Sequence, residues 1–268
     1  MKQFKGLNNI INKAEKVHPS ILNLIISLIY IAEGIVLLLL GKTYTVQITT
    51  NNLAVNSLET QAIGHTVFAN ATQHLFDINL VYLIVAILFI SAIIRIIVST
   101  VKQLPYEQNI KKGINSSRWI ENIFTLGIVI VVIGLLAGIN DFSSLLMLFG
   151  LALIMNLIGI IMEIYIKGKI VKNWLFITAI GIAALMPWLV IAIYISSTNA
   201  YGNYLPPYVY WLAGSMFVLF ICYAANLFLR FNKRGRWANF LYSEQLFILL
   251  NLVTTTAFVW QVFAGVLR

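Results

Sequence analysis

The sequence predicts an all-α membrane protein: a bundle of seven transmembrane helices, amino terminus cytoplasmic and carboxyl terminus outside, with a small extracellular β-hairpin between helices one and two. Seven apolar stretches are each long enough for a hydrocarbon core of about 30 Å, which roughly 20 helical residues cross. Of the 268 residues, 60% are hydrophobic and 10% charged, and the mean hydropathy of +0.89 lies far above that of soluble domains. Of the 18 Lys and Arg, all but Lys42, Arg95 and Arg268 fall on one side of these spans, and basic loops stay in the cytoplasm. Lipid offers no partner to a free backbone amide, so continuous apolar stretches of this length must be helices.

Residues 1–19 place Phe4, Leu7, Ile11 and Ala14 at helical spacing among lysines, the pattern of a basic helix lying on a membrane surface; a solvated basic leader is the alternative. The first span, 20–41, is expected to be its own insertion signal, because no small-residue cleavage site follows it. In the extracellular loop 42–77, Thr43 to Thr49 is β-branched and alternating, Asn51-Asn52 supplies a turn signal, and His65-Thr66-Val67-Phe68 returns as a second strand. A lone hairpin is marginal in water, so it should lean on the helix ends or on a partner subunit.

The second span is 78–101. The apolar stretch 118–166 is too long for one crossing and divides at Ile139-Asn140-Asp141 into spans 118–138 and 142–166. Spans 172–196, 208–230 and 244–266 complete the set. Short connections make consecutive helices antiparallel neighbours in one transmembrane domain, 20–268, and no internal repeat marks an inverted-repeat transporter.

The net charge of +9 is spread over every inner loop, which marks it as topogenic and attractive to anionic lipid heads rather than to nucleic acid. A single cysteine, Cys222, permits no disulfide within one chain. His18, His65 and His74 lie outside the helices, with no HExxH spacing and no Gly-rich phosphate loop, so neither an enzyme nor a metal site is expected.

Ionisable groups in hydrocarbon are expensive and usually face a partner or a cavity, which singles out Glu33, Arg95, Glu121 and Glu163. Glu33 lies in the middle of helix one, with Tyr30 a turn earlier on the same face. Arg95 lies about 10 Å from the inner edge of helix two, at 1.5 Å per residue to Lys102. A buried arginine requires a carboxylate. Tyr30 bridging Arg95 to Glu33 and a direct reach from Arg95 to Glu121 are both open. Glu163, a turn before Lys167 near the inner interface, reads as half of a surface pair.

Several motifs then carry a family likeness. The inner loop and third helix read Tyr106-Glu107-Gln108-Asn109, Gly113-Ile114-Asn115 and Arg118-Trp119-Ile120-Glu121. Later come Met162-Glu163, Pro187-Trp188, Gly235-Arg236-Trp237, Tyr242-Ser243-Glu244 and Trp260-Gln261-Val262-Phe263-Ala264-Gly265. Over nearly the whole chain this resembles the heliorhodopsins, seven-helix relatives of microbial rhodopsins with an inverted orientation. The resemblance implies a dimer, and it implies that Glu121 is the match of the family's Schiff-base counterion.

Counting back from Trp260-Gln261-Val262-Phe263, the family's retinal-bearing lysine falls on Thr255, within Asn251-Leu252-Val253-Thr254-Thr255-Thr256. A Schiff base requires a primary amine, so no covalent retinal is expected at Thr255. The histidines that the family carries in helices one and two stand here as Tyr30 and Arg95, and Arg95 is expected to supply Glu121 with the missing positive charge.

The expected function is that of a retinal-free, light-independent receptor or regulatory scaffold in the plasma membrane. A pocket near Glu121, Trp188, Asn226, Asn251 and Thr255 would hold a small apolar ligand non-covalently, retinal or a carotenoid among the candidates. Membrane lipid, a second copy of the chain and a cytoplasmic protein at the basic inner loops are the expected partners. The alternative is a proton or ion channel along Glu33, Tyr30, Arg95 and Glu121.

Overall fold

The computed structural model describes residues 19–166, 174–202 and 204–268. The leader 1–19, apart from Pro19, lies outside the described residues, as do Lys167, Lys169 and Lys172. In chain order the elements are α1 (Pro19–Leu40), β1 (Thr45–Val55), α2 (Ser57–Ile63), β2 (Phe68–Asn79), α3 (Leu80–Ser99), α4 (Gln103–Lys111) and α5 (Ser116–Leu136). Then follow α6 (Phe142–Ile166), α7 (Trp174–Ala200), α8 (Pro207–Phe231) and α9 (Phe240–Val262), which runs into a wider final turn, Phe263–Leu267. Among the described residues seven helices, α1, α3 and α5 to α9, are long and apolar enough to cross a membrane.

Polar residues set where several of these helices start. Asn79, Asn115, Asp141 and Asn239 accept hydrogen bonds from Val81, Arg118, Ser144 and Leu241 amides at 3.1, 3.4, 2.8 and 3.0 Å. Each supplies an acceptor to a first-turn amide that has no partner within its helix. The predicted division of 118–166 is realised by Gly138, whose φ of 94° lets the chain reverse where a side chain would be strained. Asp141 then opens α6.

The hairpin differs from its sequence reading in length and turn. Asn51-Asn52 is not the turn but lies inside β1, paired with Thr72 and Ala71, and the strands run on to Val55↔Phe68 before α2 caps the tip. A turn signal loses here to a strand ladder that continues on both sides of it, as tertiary context commonly overrides local propensity. The base of the hairpin leans on helix ends as expected: the Thr49 amide donates to Asn140 O at 2.9 Å, and Ile48 is fully buried. The segment 103–111, read as loop, forms the short helix α4.

α1 packs on α3, α3 on α5, α5 on α6 and α6 on α7, while α8 packs on α9 and α9 returns to α1. α7 meets α8 where the Trp188 ring lies 5.3 and 5.8 Å from those of Phe217 and Phe220. Ile26, Ile84, Leu88, Ile133 and Phe258 form a fully enclosed centre, whereas Leu39, Ile193 and Trp211 point outward. In lipid there is little hydrophobic drive between helices, so close fit decides the packing. Gly127 lies against Phe149 and Gly159 against Trp119, where a Cβ would clash with each ring.

Candidate functional site

The polar core is built by α1, α3, α5 and α9. On α3, Arg95 projects inward and donates to Glu121 of α5, with Nε and Nη2 each 3.0 Å from Oε1. Its Nη1 donates to Asn23 Oδ1 of α1 at 2.7 Å, and its guanidinium lies 5.8 Å from the Tyr30 ring centre. Asn23 passes the network on, donating from Nδ2 to the Tyr106 hydroxyl of α4 at 3.1 Å. Burial pushes the Tyr106 hydroxyl above its usual titration range, so it stays neutral.

Tyr30 is fully buried and does not bridge Arg95 to Glu33. Its hydroxyl donates to Asn251 Oδ1 of α9 at 2.8 Å, and the Thr255 hydroxyl is beside it. Of the two partners open to Arg95, the fold supplies Glu121. The reason is rotational: Glu33 faces α9, where its carboxylate accepts from Thr256 Oγ1 and Trp260 Nε1 at 3.2 Å each.

A second ionic cluster joins α5, α6, α8 and α9, and it corrects the reading of Glu163 as a surface partner of Lys167. Glu163 is buried, and Arg118 and Arg230 approach its two oxygens at 3.2 and 3.0 Å. The Asn115 amide donates to it at 2.8 Å, and the Trp119 indole N–H donates as well. Arg118 also bonds Glu244 Oε2 at 2.7 Å, and Asn115 Nδ2 bonds the other oxygen of Glu244 at 2.6 Å. Two guanidiniums and two carboxylates thus balance at this end of the bundle. Phe247 and Phe240 lie 4.0 and 4.2 Å from the Arg118 and Arg230 guanidiniums.

A cavity of about 20 Å³ separates the two clusters, bordered by Asn23, Arg95, Glu121, Asn115, Arg118 and Glu244. That is room for about one water, and Ile94, Val98, Phe247 and Ile248 add to its wall. Asn251 also borders it, whereas Thr255 and Trp188 do not. Asn226 is engaged elsewhere: its Oδ1 accepts from Trp237 Nε1 at 2.7 Å and its Nδ2 donates to Ser243 O at 3.1 Å. Among the described residues no group of three or more His, Cys, Asp and Glu is placed to hold a metal ion.

Sequence reasoning did not single out Asn23, Asn115, Arg230 or Glu244 as members of an inner network. A signal existed: α1, α8 and α9 each carry a polar or charged residue, Asn23, Arg230 and Glu244, within two turns of one helix end.

The heliorhodopsin family model matches residues 20–267, which is nearly the whole chain. No curated protein matches it.

Proposed function

The chain belongs to the heliorhodopsin family, and from that premise we propose that it works without light, as a receptor or regulatory scaffold whose core charge is fixed by Arg95. The observation that carries this reading is the Arg95–Glu121 contact, two nitrogens on one carboxylate oxygen at 3.0 Å. An arginine does not shed its proton, so Glu121 has a permanent partner. By the resemblance above Glu121 is the match of the family's counterion, and Thr255 holds a hydroxyl where an amine would be required. None of the seven spans contains a lysine.

Any ligand of this core is then held non-covalently. The basic ends of the inner loops, Lys111, Lys112, Lys233, Arg234 and Arg236, orient the chain with that end in the cytoplasm and offer a surface to an acidic protein partner. The hairpin, which carries exposed Leu53, Val55 and Phe68, supports a dimer of two such chains.

Conduction along Glu33, Tyr30, Arg95 and Glu121 is the weaker reading. Tyr30 turns to Asn251 rather than toward Glu33, and a fixed guanidinium in the file repels cations. Liposomes carrying the protein are expected to show no proton flux above that of Glu33→Gln.

The deciding experiment incubates the purified protein with retinal, washes it, and traps imines with borohydride. The expected outcome is no red-shifted band and no added mass. A washed pigment that gains the retinyl mass would overturn the proposal.

A further inference from the structure

The α1–α9 seam carries a carboxylate that the core network does not use. Glu33 is only half-buried, and its two oxygens accept from two neutral donors, Thr256 Oγ1 and Trp260 Nε1, at 3.2 Å each. Among the described residues no cation pairs with it. Glu33 lies seven residues before Leu40, the end of α1, which is roughly 10 Å of helix and so inside a hydrocarbon core of about 30 Å. The flanks are apolar and open: Ile29 and Val36 on α1 and Val253 on α9 are all exposed.

We propose that Glu33, Thr256 and Trp260 form a lipid-facing site for a free single-chain amine, bound as its ammonium, that enters sideways from the bilayer between α1 and α9. A carboxylate in hydrocarbon with only neutral donors carries a desolvation penalty that a proton or a bound cation offsets, and an ammonium supplies both charge and hydrogen-bond donors. The half-exposed Trp260 indole adds a face suited to an ammonium. The exposed Ile29, Val36 and Val253 side chains give an alkyl tail its contact. The site is independent of the Arg95–Glu121 pair, so its failure would leave the proposed function untouched.

The test uses the full chain in phosphatidylcholine nanodiscs and a dodecylammonium brominated close to its nitrogen, which quenches nearby indoles. The alcohol of the same brominated chain is the control. Saturable quenching is expected for the ammonium alone, lost in Trp260→Phe and weakened about tenfold or more in Glu33→Gln, as removal of a desolvated charge pair implies. Equal saturable quenching by the alcohol, or unchanged binding in a folded Glu33→Gln, overturns the site. Should Glu33→Gln fail to fold, the contrast between ammonium and alcohol on the unmodified chain decides alone. In nanodiscs containing phosphatidylethanolamine the affinity should hold; its loss to competition would make the lipid headgroup the occupant and overturn the assignment to a free amine.

Discussion

Arg95 grips a single oxygen of Glu121: Nε and Nη2 both lie 3.0 Å from Oε1, while Nη1 turns away to Asn23 at 2.7 Å. The guanidinium therefore ties α3 to α5 and to α1 at once. Because it is buried, its worth lies in what its absence would leave uncompensated.

Glu121→Gln strands a charged arginine in the core, and breaking a buried pair in this way typically costs about 3–5 kcal/mol. Arg95→Gln should cost less, because a carboxylate left alone can take up a proton. The double variant should be more stable than the sum of the singles predicts, by about 0.5–3 kcal/mol. Thermal unfolding of the four proteins in one detergent measures the cycle. Arg95→Gln without effect beside a severe Glu121→Gln would refute the pairing.

Glu163 accepts from two arginines, an indole and a backbone amide, whereas Glu244 is approached by Arg118 and Asn115. Glu163→Gln is therefore expected to lower the melting temperature more than Glu244→Gln. Equal losses would mean that the cluster acts as a diffuse field rather than through these contacts.

Gly159 gives the Trp119 ring its space on α6, and a Cβ there would overlap the ring. Gly159→Ala should displace the indole from Glu163, at a cost of about 1–3 kcal/mol for overpacking. Tryptophan fluorescence should shift with the loss of that hydrogen bond. An unchanged spectrum and stability would show that α6 can slide to absorb the methyl.

Thr255→Lys places an amine at the position that the family resemblance assigns to the lysine. With Arg95 already on Glu121, the variant should yield no stable red-shifted pigment with retinal. Adding Arg95→Gln should improve pigment yield, read as absorbance after washing. A strong pigment from Thr255→Lys alone would show that Arg95 does not block the site.

Asp141 caps α6: its Oδ2 accepts from the Ser144 amide at 2.8 Å and from the Ser144 hydroxyl at 2.9 Å. The hydrogen bond from the Ser144 backbone N–H holds this carboxyl below its usual range. A depressed carboxyl stabilises the fold above the ordinary aspartate range, near pH 4, and that contribution fades as pH falls through and below it. Asp141→Ala should cost about 1 kcal/mol at neutral pH. The gap in melting temperature between the two proteins should narrow on acidification toward pH 3, and a gap that widens would contradict the cap.

Much of the site was legible in the residues, and the misses have physical causes. Arg95 in an apolar span demanded a carboxylate, and the sequence named both candidates. It could not choose, because Glu33 and Glu121 differ in which way their helices are turned, and that angle is set by side chains such as Phe89 against Gly34 that come from other helices. Glu163 misled because its nearest charge along the chain is Lys167, while Arg118 and Arg230 come from helices far away in sequence.

The seven crossings, the division at Ile139-Asn140-Asp141 and the presence of a hairpin follow from the sequence alone, since the bilayer fixes span length and leaves no unpaired backbone. Tertiary structure alone decided the partners: Arg95 with Glu121, Tyr30 with Asn251, Glu163 with two arginines, and Glu33 with the neutral donors Thr256 and Trp260. Span length is a property of one segment in lipid, whereas an ion pair requires two helices to agree in depth and rotation, and only the packed bundle sets both.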